Sequence, residues 1–147
     1  IIRELLEFKP DHSETNIAAA LKYLTSVIKK KCTAFILSDF IDKGFDDALK
    51  IANRKHDVVA LKISDLREAE LPALGIIPFK NLESGEVEWI DTSDKTVRNQ
   101  YKTEAIKYRR ELENLFKKSG IDFAEIETNK SYVTPLMTLF KRRESKR

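Results

Sequence analysis

The chain has 147 residues, 35% of them charged and 41% hydrophobic, and a formal net charge of +3. This length suits one domain with its own core, the hydrophobic content excludes a disordered chain, and the small net charge is not a nucleic-acid signature. A single cysteine excludes an internal disulfide framework, and no apolar stretch reaches the length of a membrane span, so we expect a cytoplasmic protein. Because the chain begins at Ile1 without a methionine, we interpret residues 1–147 as a single domain truncated from a longer protein.

The first predicted elements are the end of a helix over residues 1–8, stopped by Lys9-Pro10, and then a stronger helix. Ser13 or Thr15 is expected to cap this second helix, and the lysines at 29–31 suit the negative end of its dipole. Its apolar residues share one face at helical spacing: Ile17, Ala20, Leu21, Leu24, Val27 and Ile28.

The apolar run over residues 32–39 ends abruptly in Ser38-Asp39, which is typical of a fully buried strand of a parallel sheet. We predict the strand over residues 33–37. Open α/β sheets bind ligands at the carboxyl ends of their strands, so Ser38 and Asp39 are the first candidates for chemistry.

A loop over residues 40–45 leads to a predicted helix that begins at Asp46 or Asp47 and reaches about Arg54. A second buried strand is predicted within residues 57–63, and the order strand, helix, strand implies a right-handed parallel crossover. Residues 64–71 form a polar, partly helical turn that Pro72 stops.

The second half of the chain predicts a hairpin, a long helix, a strand and a final helix. Residues 75–82 and 87–92 flank the turn signal at 83–86, and we place this antiparallel pair at one edge of the parallel sheet. Ser93-Asp94 opens the long helix to about residue 118, a strand covers residues 121–126, and Ser131 caps a helix over residues 132–144. The fold class is therefore α/β, with a mostly parallel sheet and helices on both faces.

Asp39 is the strongest candidate ligand, because its carboxylate follows a strand end and can hold a hard cation through oxygen. Ser38 offers a neighbouring hydroxyl, and Thr15 adds a further oxygen from the start of an adjacent helix. In the simpler interpretation, Asp39 caps a turn and Thr15 is only an N-terminal helix residue.

Two alternative functions, and the role of one tryptophan, stay open at the level of the sequence. A Mg²⁺-dependent phosphohydrolase or nuclease would use Asp39, Asp42 and Asp57, although a run of acids along one loop is more typical of solvated surface. A structural domain whose basic end, residues 141–147, binds nucleic acid is the second; that run is more typical of a solvated tail. Trp89 is either a recognition aromatic or a cover for the sheet edge.

Two histidines and one cysteine cannot build a typical zinc site. We therefore interpret Cys32 as a buried small hydrophobe and His56 as a helix end.

The ordered landmarks resemble those of the bacterial von Willebrand factor A-like proteins of the domain of unknown function fifty-eight family. The Ser-Asp-Phe strand end at 38–40 and the Lys-His-Asp segment at 55–57 carry the resemblance most specifically. The others are Phe8-Lys-Pro10, Thr15, the start of the run 34–40, Leu71-Pro72, residues 85–92 and residues 132–143.

The resemblance implies a three-layer Rossmann-like von Willebrand factor A-type domain with a metal-ion-dependent adhesion site. By position, Thr15 matches its threonine, Asp39 its aspartate, and Ser38 is a looser match. The D-x-S-x-S loop and the N-terminal strand would lie before Ile1, so Mg²⁺ or Mn²⁺ is expected in the full-length protein and weakly or not at all here.

The resemblance also implies a non-enzymatic protein-interaction module, with a MoxR-type AAA+ ATPase as the partner and no nucleic acid. An incomplete sheet leaves a flank through which the domain can form an oligomer.

Overall fold

The computed structural model describes residues 15–80 and 85–145, together with Arg3 and Glu7. The helices are α1 Ile17–Val27, α2 Asp46–Lys55, α3 Leu66–Ala69, α4 Lys95–Lys118 and α5 Val133–Glu144. The strands are β1 Thr33–Ser38, β2 Asp57–Ser64, β3 Ile76–Lys80, β4 Val87–Asp91 and β5 Asp122–Glu127. The predicted order of helices and strands is confirmed along the described chain.

A three-stranded parallel sheet in the order β1-β2-β5 forms the centre of the fold. Thr33 pairs with Asp57, and Val59 pairs with Asp122. The three strands therefore all begin along one side of the sheet, its starting edge, and all end along the opposite side, its carboxyl edge. The central strand β2 is buried on both faces, which explains its uninterrupted apolar run Val58-Val59-Ala60-Leu61. The predicted parallel crossover is confirmed.

Helices cover both faces of this sheet, which gives the three layers expected for the fold class. On one face, α1, α2 and α4 enclose the larger core with Val58 and Ala60 of β2. On the other face, Leu139 of α5 packs against Val59, Leu61 and Ala124. Successive residues of β2 point to opposite faces, so one strand supplies both cores.

The flank of β1 is not covered by another strand among the described residues. Phe35 and Leu37 are 47% and 64% exposed there, so the prediction of a fully buried strand is wrong for β1, although Phe35 makes an edge-on ring contact with Phe140 of α5 at 6.4 Å. An apolar edge strand of this kind favours pairing with another chain. The strand expected before Ile1 and an oligomer through this flank both stay predictions.

The hairpin forms as predicted, but its expected place at the edge of the parallel sheet is wrong. β3 and β4 pair with each other, Ile77 opposite Ile90, as a separate two-stranded sheet. The hairpin instead packs on α4, where the Phe79 and Tyr101 rings meet at 6.3 Å. The buried Thr92 hydroxyl donates to the Gly75 carbonyl at 2.7 Å and closes the hairpin base. Residues 81–84, which include the end of the first predicted strand and the first half of the predicted turn, lie outside the described residues.

The start and end of α1 differ from the prediction. Asn16 is its N-cap, and its side-chain oxygen accepts from the Ala19 backbone N–H at 2.7 Å, so the expected cap by Thr15 is wrong. Ser13 and most of the helix predicted over residues 1–8 lie outside the described residues. The helix ends at Val27 because Ile28 is already extended, which leaves the lysines at 29–31 beyond its last turn.

Of the two later caps that were predicted, the cap by Asp94 is confirmed, whereas Ser131 lies one residue before the N-cap of its helix. The Asp94 side chain accepts from the Thr96 N–H at 2.7 Å and starts α4. The Ser131 hydroxyl accepts from the Val133 N–H at 3.4 Å at the start of α5, although the residue that directly precedes this helix is Tyr132.

Candidate functional site

The three residues proposed from the sequence as metal ligands, Thr15, Ser38 and Asp39, line two different cavities of the structure. Asp39 directly follows β1, and Thr15 lies two residues before α1. Thr15 and Ser38 line the same apolar groove of 640 Å³ between α1 and β1. Asp39 lines a neighbouring cavity of 400 Å³ that opens at the ends of the strands. Open α/β sheets hold their ligands at this edge.

Hydrogen bonds fix the Asp39 side chain in the loop after β1. Its Oδ1 atom accepts from the Ser38 hydroxyl at 3.3 Å and from the Ile41 N–H at 3.1 Å. The Ser38 Oγ atom also accepts from the Phe40 N–H at 2.9 Å. Among the described residues, the Asp39 Oδ2 atom has no hydrogen-bond partner. The loop therefore presents one carboxylate oxygen on a solvent-exposed residue.

Phe40 holds this loop through an unusual backbone. Its φ is +62°, which lies in the left-handed region, and its side chain is 0% exposed. Non-glycine residues in this region are strained, so surrounding contacts must enforce the conformation. The Phe40 ring packs against Phe116 at 5.1 Å and Phe45 at 6.1 Å, and the Tyr108 hydroxyl donates to its carbonyl. The core thus dictates where the Asp39 carboxylate lies.

Burial raises the pKa of the Tyr108 phenol, and the negative charge of Asp39 raises the pKa further, while a hydrogen bond with the Asp42 backbone partly opposes this shift. The folded protein therefore keeps the hydroxyl proton that bonds the Phe40 carbonyl at pH values where the unfolded chain loses it. A raised pKa contributes stability that is fully present below the ordinary phenol pKa of about 10 and is lost as the pH rises above it.

We expect Tyr108→Phe to flatten the loss of stability above pH 10 while lowering stability at neutral pH by about 1 kcal/mol, through the lost hydrogen bond. Urea unfolding between pH 7 and 11 measures both effects. The exposed Tyr23→Phe is the matched control. A wild-type and a Tyr108→Phe profile that run parallel above pH 10 would contradict the assignment.

The structure does not assemble the three carboxylates proposed for a phosphohydrolase or nuclease. Asp42 Oδ2 accepts from the Ile17 N–H at 2.8 Å, so this carboxylate anchors the start of α1. Asp57 starts β2 at the opposite edge of the sheet, paired with Arg143. The six-residue strand β1 separates the two edges by roughly 20 Å. One metal site cannot join Asp57 to Asp39.

The cavity beside Asp39 is lined by charged residues of β2, β5, α3 and α4 and of the loops that follow the strands. Lys62 and Arg109 both contact the Glu125 carboxylate, at 3.5 and 2.5 Å. Lys130 pairs with Glu127 at 2.8 Å. Five acidic side chains and three basic ones line this cavity: Asp39, Asp65, Glu68, Glu125, Glu127, Lys62, Arg109 and Lys130. Since the basic groups contact acids of the same cavity, its remaining excess of charge is negative.

The acidic Asp65 lies at the same edge and caps α3. The Arg67 N–H and then the Thr128 hydroxyl hydrogen-bond its carboxylate and lower its pKa. Asp65 is therefore held as a carboxylate by neighbours that also hold it in place.

The donor set fits Mg²⁺ or Mn²⁺ only in part. Carboxylate and hydroxyl oxygens are the ligands that these hard ions prefer, and Asp39, Ser38 and Thr15 supply them. Yet among the described residues no three His, Cys, Asp or Glu side chains converge on a metal position. These three residues alone are too few to hold such an ion tightly.

The sequence missed a side-chain pair at the opposite edge of the sheet. Cys32 Sγ lies 3.5 Å from His56 Nδ1, and each residue directly precedes a strand. The predicted parallel pairing of those strands could have revealed this contact. When Thr33 lies beside Asp57, the residues that precede them are neighbours as well. His56 does end α2, as predicted.

The structure also tests the predictions for the basic C-terminal run and for Trp89. The basic C-terminal run is not simply a solvated tail, because Arg143 pairs with Asp122 at 3.0 Å and Arg142 donates to the Phe123 carbonyl at 3.0 Å. Residues 146 and 147 lie outside the described part of the chain. Trp89 is 68% exposed on the outer face of the hairpin, so it does not cover a sheet edge.

Comparison with known protein families gives a match over most of the chain. Residues 1–111 match the family described as "Protein of unknown function DUF58". The chain belongs to the DUF58 family. The match includes the Asp39 loop and the Cys32–His56 pair, and it ends within α4, so β5 and α5 of this DUF58 chain lie beyond it.

Curated relatives of this DUF58 chain are uncharacterized proteins of mycobacteria. One, from Mycobacterium avium, is 22% identical over 129 residues and matches 87% of the chain and 76% of its own length. Another, from Mycobacterium tuberculosis strain H37Rv, is 23% identical over 123 residues and matches 83% of the chain but only 38% of its own length. No solved structure matches. In the described ranges, no helix combines the length and apolar character that a bilayer span requires.

Proposed function

We propose that this DUF58 chain is a non-enzymatic protein-interaction module whose carboxyl sheet edge supplies part of a metal-ion-dependent adhesion site. Asp39, Ser38 and Thr15 would hold Mg²⁺ or Mn²⁺, and the bound ion would take an acidic oxygen of the partner protein. One observation carries the proposal: the Asp39 carboxylate is exposed and fixed by a loop that the buried Phe40 holds, with one oxygen without a hydrogen-bond partner among the described residues.

The surroundings of Asp39 support a cation at this edge. The adjacent cavity has an excess of acidic side chains, and this charge attracts a cation before any ligand contacts it. The Tyr108–Phe40 hydrogen bond and the Phe40 ring keep the loop in place without using the carboxylate itself. The module would therefore offer a preformed ligand, and the remaining ligands would come from the longer protein.

Thermal unfolding with increasing Mg²⁺ or Mn²⁺ tests the site, on this chain and on the longer natural protein. An ion that binds only the folded state at a hundredfold above its Kd adds about 2.7 kcal/mol, or roughly 5–10 °C in Tm. We expect that increase in the longer protein, little change in this chain, and loss of the response in Asp39→Ala. Asp46→Ala, an exposed acid at the start of α2, is the matched control. A longer protein whose Tm ignores both ions would remove the metal from the proposal.

The partner implied by the family resemblance is a MoxR-type AAA+ ATPase. Capture of the purified ATPase by the longer protein, with and without a chelator, tests this part separately. Capture that persists in chelator and in Asp39→Ala would keep the partner and exclude the site.

A further inference from the structure

Four helices of the described chain end at the starting edge of the parallel sheet, opposite the candidate metal site. Lys55 Nζ donates to the Thr25 carbonyl at 3.4 Å, so the end of α2 lies against the end of α1. Asn53 Nδ2 donates to the Ser119 carbonyl at 2.9 Å, which places the end of α4 beside α2. Arg143 attaches the end of α5 to the first residues of β2 and β5. These contacts place the four helix ends on one side of the molecule.

This side of the molecule is strongly basic. We define the basic face as residues 28–32, 54–57, 117–122 and 141–145, which are the helix ends and the segments that lead into β1, β2 and β5. Ten of these residues are lysine or arginine, and three are acidic. Because the whole chain carries only +3, acids elsewhere offset this excess, and the positive charge is concentrated at one edge of the sheet.

Most of these cations are available to a partner. Six of the ten side chains are exposed and have no hydrogen bond or ion pair within the described residues: Lys29, Lys30, Lys31, Arg54, Lys118 and Lys141. Basic residues in the last turn of a helix are ordinarily explained by the helix dipole. The lysines at 29–31 lie beyond that turn, because α1 ends at Val27 and Ile28 is already extended. Three adjacent unpaired lysines repel one another, and a negatively charged surface would relieve that repulsion.

Exposed aliphatic side chains adjoin the three lysines. Val27 is 52% exposed and Ile28 is 39% exposed, directly before Lys29. Surfaces that lie on anionic membranes combine these two features, because lipid headgroups attract the cations and the aliphatic groups enter the boundary with the acyl chains.

Nucleic acid matches the basic face less well. The face contains no phenylalanine, tyrosine or tryptophan on which a base could stack. Five of its six unpaired cations are lysines, which lack the planar guanidinium fork that recognises phosphates and bases through paired hydrogen bonds. The charge of the face therefore suits a broad anionic surface better than a specific nucleic-acid site.

We propose that the basic face docks this domain on a membrane that contains anionic lipids, with the lysines at 29–31 against the headgroups and Ile28 among them. The attraction is electrostatic and needs no particular headgroup geometry. It also orients the domain, because β1 begins at the membrane and its other end, with Asp39, lies roughly 20 Å away. The candidate metal site then faces the solution, where a partner protein can reach it. Docking does not require a metal ion at Asp39, so it is independent of the proposed function.

Co-sedimentation of the 147-residue chain with lipid vesicles tests the docking, in buffer without divalent cations. One set of vesicles is phosphatidylcholine alone, and the other contains about 30% phosphatidylserine. We expect binding to the phosphatidylserine vesicles to be tighter by about tenfold or more, and to weaken by a similar factor when salt rises from about 50 to about 200 mM. Equal binding to both sets, or none to either, overturns the proposal. Binding to double-stranded DNA but not to the anionic vesicles assigns the face to nucleic acid and also overturns it.

Replacing all three lysines at 29–31 by glutamine should weaken binding to the phosphatidylserine vesicles about hundredfold, because each basic residue near an anionic surface contributes roughly fivefold. The matched control combines Lys43→Gln, Lys80→Gln and Lys95→Gln, at exposed positions outside the basic face that have no ion pair among the described residues. This control removes the same net charge and should bind within about twofold of wild type. If both triple variants lose binding equally, net charge alone attracts the protein, and the basic face is not the docking surface.

Two single substitutions test the orientation of the docked domain. Ile28→Ser should weaken vesicle binding about fivefold without changing its salt dependence, because it removes apolar area but no charge. A circular dichroism melt checks that each variant folds. If Ile28→Ser folds and binds as tightly as wild type, the placement of Ile28 among the headgroups is wrong. Asp39→Ala should bind the vesicles like wild type, and a loss of binding in this variant would contradict an orientation with Asp39 away from the membrane.

Discussion

Phe40→Ala should destabilise the protein by about 3–5 kcal/mol, the usual cost of removing a fully buried phenylalanine ring. The ring is 0% exposed and packs between Phe45 and Phe116, so its loss leaves a cavity in the core between the start of α2 and α4. Urea unfolding at neutral pH measures the change, and Ile41→Ala, at an exposed neighbour in the same loop, is the control. A cost below about 1 kcal/mol would show that the core around Phe40 collapses without penalty.

A second substitution separates the ring from the backbone. Phe40→Gly also removes the ring, but glycine adopts a positive φ without the strain that a Cβ atom causes. We therefore expect Phe40→Gly to be about 1 kcal/mol more stable than Phe40→Ala, the reverse of the order in an ordinary loop. If alanine is the more stable of the two, the left-handed backbone of Phe40 is not a source of strain.

The sequence predicted the central sheet because its strands need little tertiary information. An apolar run such as Val58-Val59-Ala60-Leu61 is typical of burial on both faces, and the helix between β1 and β2 favours a parallel crossover. The start of α4 was also predictable, because Asp94 is a strong local cap. These features depend on local chemistry or on a period that one segment carries by itself.

The remaining features depend on packing between distant segments. The hairpin has ordinary strand and turn signals, and only the Phe79–Tyr101 contact decides that it packs on α4 rather than on the parallel sheet. Phe40 looks like an ordinary apolar loop residue, and nothing in its neighbours demands a positive φ. Such features follow from which surfaces meet, and a single sequence does not state that.

Part of the candidate site could likewise be predicted from local sequence, and part could not. Ser38 and Asp39 were predictable because the carboxyl end of a parallel strand is a known location for ligands. Asp57 was misplaced because chain order says that it follows Asp39 but not that it starts its strand at the other edge. Following the direction of each parallel strand to its acidic residues assigns Asp39 and Asp57 to opposite edges of the sheet from the sequence alone.

The starting edge of the sheet supplies the second large expected effect. Arg143 on α5 contacts Asp57 of β2 and Asp122 of β5, and its side chain is 16% exposed. One guanidinium thus links a helix to two adjacent strands, and Arg143→Ala leaves two carboxylates facing each other without it. Removing one partner of a buried ion pair costs about 3–5 kcal/mol, and because both carboxylates are partly solvated we expect about 2–3 kcal/mol. Thermal and urea unfolding measure this loss, with the exposed Lys141→Ala as the control.

Two further variants distinguish this bridge from simple helix packing. Arg143→Lys should recover only part of the loss, because an ammonium group lacks the planar fork that holds two carboxylates at once. Asp57→Asn in the Arg143→Ala background should restore stability by removing the repulsion between the two acids. If Arg143→Ala behaves like Lys141→Ala, the basic C-terminal run is a solvated surface after all. If instead all three results hold, the basic C-terminal run attaches α5 to the sheet. Arg143 is then engaged by Asp57 and Asp122 and is not available to bind nucleic acid.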